Sequence, residues 1–347
     1  MQDINLLIRE NIKKLVPYSS ARDDFSGAAH IFLDANENSL GSPLSPSYNR
    51  YPDPHQYEIK ERLAAIKGVP PQNIFIGNGS DECIDLLYRA FCNPGADNVI
   101  IHTPTYGMYE VSAHINDVEV RRAPLTENFE LDLEAVERLI DANTKIIWIC
   151  SPNNPTGNSF NRMDVETIIN NFDGLVVIDE AYINFSRQQS LIRELTEYPN
   201  LVILQTLSKA WGLAGLRVGM AFASEAIIHV MNRIKPPYNI GQATQEIVLN
   251  ALKETDSVNR MIIEIVGMRN ELAEKLNRLS PVLHVYPSEA NFLLVKIKNA
   301  RLVYEHLLRE GIVVRDRSSA PGCSDCLRIT VGTREQNDKL VGILSQI

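Results

Sequence analysis

The segments KIIWIC (residues 145–150) and LVVID (residues 175–179) decide the fold class of this chain. Both are apolar at consecutive positions, which is typical of strands buried on both faces of a mostly parallel sheet. Five further strand-like runs alternate with helical patterns around them: NIFIG, NVIIH, VEVRRA, LVILQT and RVGMAFA. The sequence therefore predicts an α/β protein whose large domain is a mostly parallel sheet covered by helices on both faces.

The pattern changes beyond about Leu252. A long helical stretch, TDSVNRMIIEIVGMRNELAEKLNRL, is followed by the strand-like segments HVYPSEANFLLVKI and CLRITVG. Near the other end of the chain, the Pro- and Ser-rich segment GSPLSPSYNRYPDPH (residues 41–55) predicts an extended connector that follows an N-terminal arm. We expect a large domain at residues 42–252 and a smaller α+β domain made of residues 253–347 with the arm, residues 1–41.

Length, charge and cysteine content restrict the function. A chain of 347 residues, 44% hydrophobic and 22% charged, is expected to form about two folded domains. A net charge of −9 provides no general attraction for nucleic acid or an anionic membrane. Neither a membrane span nor a signal peptide is recognisable, so we expect a cytoplasmic protein. Cys323 and Cys326 form a CxxC pair without a second ligand pair, so no metal site is predicted.

Polar residues follow the predicted strands, at the sheet edge where α/β proteins bind ligands. Hydroxyl, amine and guanidinium groups gather at and beyond the end of LVILQT, and they are Thr206, Ser208, Lys209 and Arg217. Lys209 alone would be interpreted as a surface lysine, but this set is suited to a phosphate dianion. A glycine-rich turn leads into a helix at Ser80 and Asp81, and free amides at a helix N-terminus also favour phosphate. That turn, GNGSDE, does not complete GxGxxG, which disfavours a nicotinamide cofactor.

Three other strand ends contribute candidate groups. Asp179 is either a capping carboxylate or a buried carboxylate that keeps a ring nitrogen protonated, with Tyr182 near a phenolate oxygen on the same ring. Asn154 in SPNNPTG offers an amide donor. Tyr106 offers a flat aromatic face, although a core aromatic is the simpler interpretation of that residue alone.

Taken together, SPNNPTG, DEAY (residues 179–182) and SKAWGLAGLRVG resemble the pyridoxal-phosphate enzymes of aminotransferase fold type I in their order and separation. Further motifs are similar to those members of the family that act on histidinol phosphate: PYSSAR, LDANEN, NRYPDP, PTYGMYEVSA, GIVVRD and CLRITVGTRE. The resemblance extends over essentially the whole chain.

The resemblance implies pyridoxal 5′-phosphate as the cofactor, and Lys209, Asp179 and Tyr182 as the catalytic residues. Lys209 forms the Schiff base with the cofactor aldehyde and then moves protons, and Asp179 pairs with the pyridinium. Asn154 and Tyr182 contact the ring phenolate, and Tyr106 stacks on the ring. The residues implied around the cofactor phosphate are Ser80, Asp81, Thr206, Ser208, Arg217 and, from the other subunit of a homodimer, Tyr51. The residues implied at the substrate are Tyr18, Asn36, Arg315 and Arg328.

The implied reaction converts histidinol phosphate and 2-oxoglutarate into imidazole acetol phosphate and glutamate, in histidine biosynthesis. The nearest alternatives within the family are a threonine-phosphate decarboxylase, an aromatic aminotransferase or a bifunctional one. An alternative from another class is a non-catalytic pyridoxal-phosphate sensor. The presence of both Lys209 and Asp179, and the absence of a recognisable helix-turn-helix segment, favour an enzyme.

Overall fold

A computed structural model describes residues 4–18 and 31–347 of the chain. Its larger sheet has seven strands: β1 (Ile74–Asn78), β2 (Asn98–Thr103), β3 (Glu119–Pro124), β4 (Thr144–Cys150), β5 (Leu175–Asp179), β6 (Leu201–Thr206) and β7 (Val218–Ala223). The strand order is β1-β7-β6-β5-β4-β2-β3. All neighbouring pairs are parallel except those of β7, which is antiparallel to both β1 and β6. The predicted mostly parallel sheet is confirmed.

Helices cover both faces of this sheet. The helices that precede or connect its strands, and the two after β7, are α1 (Glu10–Lys13), α2 (Tyr57–Lys67), α3 (Ser80–Phe91), α4 (Met108–Ile115), α5 (Leu133–Leu139), α6 (Arg162–Asn171), α7 (Glu225–Ile234) and α8 (Gln242–Ala251). One core contains apolar residues of α2, α5, α6 and α8, and the other contains those of α1, α3, α4 and α7. Strand β5 supplies both cores, since Val176 and Ile178 face one and Leu175 and Val177 face the other. This two-sided burial explains why LVVID is apolar at consecutive positions.

A second, antiparallel sheet follows the long helix α9 (Thr255–Asn277). Its elements are β8 (Val282–Val285), β9 (Phe292–Ile297), α10 (Ala300–Arg309), β10 (Arg315–Asp316), β11 (Cys326–Thr330) and α11 (Arg334–Leu344). The strand order is β10-β11-β9-β8, and the three helices contribute to one apolar core on one face of the sheet. The predicted smaller α+β unit is present in residues 255–344.

The described part of the N-terminal arm packs on the large domain. Ile4, Ile8 and Ile12 are buried in the core that contains α3 and α7, and the Arg9 amide donates to the Ala90 carbonyl over 3.0 Å. These contacts differ from the expected grouping of residues 1–41 with the smaller domain. We therefore propose a division in which residues 4–15 belong with the large domain and the smaller domain begins near residue 253.

No helix within residues 4–18 or 31–347 is long and apolar enough to cross a membrane. The connector at residues 41–55 contains neither helix nor strand, as its prolines and serines predicted.

Candidate active site

A cleft opens where β4, β5 and β6 end and where α3 begins. Its walls carry side chains from strand ends that lie far apart in the sequence. They are Ser80, Asp81, Tyr106, Cys150, Asn154, Asp179, Ala181, Tyr182, Thr206, Ser208, Lys209 and Arg217. The structure therefore brings together in one cleft ten of the residues predicted to bind the cofactor.

Asp179 is the last residue of β5 and its carboxylate is almost completely buried at the floor of the cleft, with 3% exposure. Oδ2 accepts a hydrogen bond of 2.7 Å from the Tyr109 hydroxyl, and Oδ1 accepts one of 3.0 Å from the Ala181 amide. Burial raises the pKa of Asp179, while these two hydrogen bonds and the charge of Lys209 lower it. A buried carboxylate with neutral donors only favours a cation beside it, such as a protonated ring nitrogen.

Tyr109 was not predicted as a site residue. It lies in α4, three residues after Tyr106, and is fully buried. Its ring stacks on Trp148 at 5.0 Å between centroids, and Tyr106 packs edge-on against it at 5.6 Å. Tyr106 precedes the first residue of α4, so helical spacing in TPTYGMY does not single out Tyr109; its place in the site depends on how α4 packs on the sheet.

Lys209 follows β6 and extends toward Tyr182, with Nζ 5.6 Å from the centroid of that ring. Partial burial of the ammonium lowers the pKa of Lys209, and the charge of Arg328 lowers it further, against the opposing effect of Asp179. A lowered pKa increases the fraction of neutral amine, which is the form that attacks an aldehyde carbon. Among the described residues that line the cleft, Lys209 has the one amine.

The opposite end of the cleft is formed by the N-terminus of α3 and the loop after β6. Arg217 adopts a left-handed conformation, with φ 54°, and its guanidinium reaches Asp81 Oδ2 at 3.3 Å and Ser208 Oγ at 3.4 Å. Gly79, with φ 76°, leaves room for that guanidinium, since a Cβ at this position would lie 2.6 Å from Arg217 Nη2. Gly219 on β7 permits a similar approach, because its Cβ would lie 2.2 Å from the Ser80 amide nitrogen. Both glycines therefore allow the helix terminus and the arginine to converge.

The smaller domain reaches the cleft through one arginine. Arg328 on β11 donates from Nη1 to Asn154 Oδ1 over 2.5 Å, and its guanidinium lies over the Phe292 ring, 5.3 Å from the centroid. Asn154 is held in the turn after β4, where the fully buried Asn153 donates to the Pro104 carbonyl over 2.9 Å. Arg315 lies opposite Arg328 in the β10–β11 pair and is exposed.

Besides Arg315, three predicted residues lie outside this cleft. Tyr51 is half-exposed and stacks on Tyr238, with ring centroids 4.4 Å apart, and it shares a separate surface groove with Asn36. Tyr18 is exposed near His55 at another place on the surface. Their assigned roles, from the other subunit or from the N-terminal arm, stay predictions; in the motif PYSSAR, residues 19–22 lie outside the described residues.

The architecture of the sheet and its cleft is that of the fold type I aminotransferases, the class indicated by the sequence motifs. Within this class, residues 30–344 match the family model for aminotransferase class I and II, and the chain belongs to this family. Family membership implies pyridoxal phosphate as the cofactor.

Individual proteins also match this chain over all or most of its length. A relative from Parabacteroides distasonis named histidinol-phosphate aminotransferase is 52% identical over 347 residues, covering 100% of this chain and 99% of the relative. The crystal structure of the histidinol-phosphate aminotransferase from Clostridium acetobutylicum superimposes with a TM-score of 0.80 at 26% identity, over 86% of this chain and 90% of that one. The histidinol-phosphate aminotransferase from Sinorhizobium meliloti, solved in complex with pyridoxal-5′-phosphate, has the same fold, with a TM-score of 0.79, 24% identity and coverage of 90% and 89%.

The residues of the cleft fit the implied cofactor. At one end, buried Asp179 accepts hydrogen bonds from neutral donors only and is suited to a protonated ring nitrogen. At the other end, the first amides of α3 and the Arg217 guanidinium are suited to a phosphate group. The cleft therefore fits a ligand that is positively charged at one end and negatively charged at the other, as pyridoxal phosphate is.

Proposed function

We propose that this chain, acting in the cytoplasm as a homodimer, transfers the amino group of histidinol phosphate to 2-oxoglutarate in histidine biosynthesis. The products are imidazole acetol phosphate and glutamate. The observation that carries the proposal is the full-length match, at 52% identity, to a relative named histidinol-phosphate aminotransferase. The cleft supports the same reaction class, because it joins one lysine amine, one buried carboxylate and an arginine from the smaller domain.

Pyridoxal phosphate, when bound, supplies an aldehyde carbon and a ring that withdraws electrons from the substrate. Asp179 holds a positive charge at the ring nitrogen, and the Asn154 amide and Tyr182 hydroxyl orient the ring through its oxygen substituent. Tyr106 covers one face of the ring. The phosphate is held by Ser80, Thr206, Ser208 and Arg217, and by the backbone at Asp81.

Lys209 moves the proton in this reaction. Its amine would hold the cofactor through the aldehyde, and it would act on the substrate once the substrate amine has taken that place. A lowered pKa favours the neutral form of Nζ, which would accept the proton from the substrate α-carbon. Tyr182 and the buried wall around it limit access of water to that proton.

Arg328 and Arg315 bind the anionic ends of the substrates. Two successive half-reactions use this cleft, one with a phosphate ester and one with the dicarboxylate glutamate, and both need fixed cations. Arg328 is placed for this role beside Asn154. Tyr18 and Asn36 approach the substrate from the N-terminal arm, and Tyr51 reaches the cofactor phosphate of the partner subunit.

A competition assay tests the proposal. The purified holoenzyme is given histidinol phosphate, threonine phosphate, phenylalanine and tyrosine, each with 2-oxoglutarate, and glutamate formation is followed by a coupled dehydrogenase. We expect the highest kcat/KM with histidinol phosphate. Release of carbon dioxide from threonine phosphate, or a higher kcat/KM with an aromatic amino acid, would assign one of the alternative activities instead.

A further inference from the structure

Three arginines lie on the same face of the small sheet, and the third has no role so far. We propose that Arg317 is a specificity-determining residue that, together with Arg315, binds the phosphate ester of the amine substrate. This inference rests on the proposed function, because it assigns the phosphorylated end of the substrate to a particular pair of residues.

The strand register places the three side chains on one face. Arg315 lies opposite Arg328 in the antiparallel β10–β11 pair, and the Arg317 amide continues the ladder by donating to the Cys326 carbonyl over 2.9 Å. Alternate residues of a strand share a face, so Arg317 lies on the side of Arg315 and Arg328. The intervening residues Leu327 and Ile329 are buried in the core on the other side of the sheet.

This face is directed at the large domain and the cleft. Arg328 contacts Asn154 of the large domain, and Cys326 and Leu294 pack with Phe129 of the large domain. Arg317 comes two residues after Arg315, just past the end of β10, which in an extended chain is roughly 6.6 Å. At this spacing two long guanidinium side chains can converge on one phosphate group.

None of the three arginines forms an ion pair with a carboxylate of residues 4–18 or 31–347. Arg317 is partly buried, and its Nε is buried without a hydrogen-bond partner in this part of the chain. Burial lowers the pKa of Arg317, and the charge of Arg315 lowers it further. Uncompensated positive charges that repel one another are unfavourable for the protein alone, so a dianionic ligand explains their arrangement.

A phosphate dianion requires more positive charge than a carboxylate does. Arg328, beside Asn154, is nearest to the cleft and is shared by both substrates. Arg317 follows β10 directly, two residues after Arg315, so it is placed for the group farther from the reacting carbon, which in the phosphorylated amine is the ester.

The test compares Arg317→Gln and Arg317→Lys with wild-type holoenzyme. Arg138→Gln is the matched control, because Arg138 is an exposed arginine in α5 of the large domain that pairs with Glu134. Three quantities are measured: kcat/KM for histidinol phosphate, kcat/KM for phosphate-free histidinol, and the Kd of inorganic phosphate by calorimetry. We expect Arg317→Gln to lower kcat/KM for the ester about tenfold and to raise the phosphate Kd about tenfold, as for loss of one charge-assisted contact. Phosphate-free histidinol should react at an unchanged rate, and Arg317→Lys should recover most of the loss.

Other outcomes overturn the inference in distinguishable ways. Equal losses for histidinol and its phosphate ester, with a lower melting temperature, would show that Arg317 only supports the β10–β11 loop. Unchanged phosphate binding in Arg317→Gln would exclude it as a phosphate ligand. If wild-type protein turned over no histidinol phosphate, the proposed function would fail, while the phosphate Kd values would still decide the role of Arg317.

Discussion

The Tyr109 hydroxyl donates a 2.7 Å hydrogen bond to Oδ2 of Asp179, and this bond joins the first turns of α4 to the end of β5 across the floor of the cleft. Both side chains are buried, so the hydrogen bond is protected from water. It favours the charged form of a carboxylate whose pKa is raised by burial. Tyr109 is therefore a positioning residue that favours the ionised form of Asp179 at the floor of the cleft.

Replacing Tyr109 with Phe should reduce kcat without removing the ring packing on Trp148. A hydrogen bond to a charged group contributes about 1.5–3 kcal/mol, and its loss raises the pKa of Asp179 further. The reduction should become larger as the pH falls, because a protonated Asp179 no longer pairs with the ring nitrogen. The pH profile of kcat and the pH titration of the cofactor absorbance measure this effect.

Tyr88→Phe is the control for Tyr109→Phe. Tyr88 is also buried and stacks on Trp148, but its hydroxyl donates to the Tyr109 carbonyl and not to Asp179. If the acidic side of the pH profile of kcat shifted equally in both variants, the effect would come from packing rather than from the hydrogen bond to Asp179.

Replacing Lys209 with Ala should abolish transamination, since no other described residue brings an amine into the cleft. Borohydride reduction of the wild-type holoenzyme should attach the cofactor to the peptide that contains Lys209, as mass spectrometry can show. Exposed Lys253 provides the control substitution, which should leave activity unchanged. Cofactor found on a different lysine would refute the assignment.

Replacing Arg328 with Gln should weaken the use of both histidinol phosphate and glutamate, because this arginine is shared by the two half-reactions. The loss is expected to be on the order of 2–5 kcal/mol in kcat/KM if an anionic substrate group is left unpaired. Arg334→Gln, at an exposed arginine that pairs with Glu271, should have no effect. A loss confined to one substrate would assign Arg328 to that half-reaction alone.

Mixing two inactive variants should restore activity if the site is shared across a dimer. Tyr51 lies outside the cleft of its own chain, and Tyr51→Asp should repel the cofactor phosphate of the partner subunit. In an equal mixture with Lys209→Ala, about half of the dimers are hybrids and each has one site with both normal residues. Roughly a quarter of wild-type activity is then expected. A monomer in sedimentation, or no recovery despite proven subunit exchange, would contradict the shared site.

His102 should make the protein sensitive to acid. It lies on β2 with 1% exposure, both ring nitrogens lack a hydrogen-bond partner among the described residues, and burial lowers its pKa from 6.5 to about 4. The unfolded chain therefore binds a proton between pH 6.5 and pH 4 that the folded chain does not bind. Stability should be complete above pH 6.5 and fall by up to about 3 kcal/mol as the pH decreases to 4.

His102→Leu should remove part of this loss. The free energy of unfolding, measured by urea titration at fixed protein concentration at pH 7.5 and pH 4.5, should change less with pH in the variant than in wild type. His229→Gln, at an exposed position in α7, controls for removal of an imidazole from the surface. An unchanged difference between the two pH values in His102→Leu would contradict the prediction.

The sequence alone determined the fold class and most of the cleft. Consecutive apolar residues in KIIWIC and LVVID indicate strands covered on both faces, and parallel strands bring their carboxyl ends to one edge. Residues that directly follow such strands, such as Asp179 and Asn154, were therefore found from local pattern, and the structure places both in one cleft.

Only the tertiary structure decided which residues from distant parts of the sequence contact these groups. Tyr109 contacts Asp179 although 70 residues separate them, and Arg328 contacts Asn154 across 174 residues. Local periodicity has no information about such contacts, because they depend on how α4 packs on the sheet and how the smaller domain meets the large one. The same reason explains the N-terminal arm, which was expected to group with the smaller domain: the burial of Ile4, Ile8 and Ile12 against α3 and α7 is set by tertiary packing.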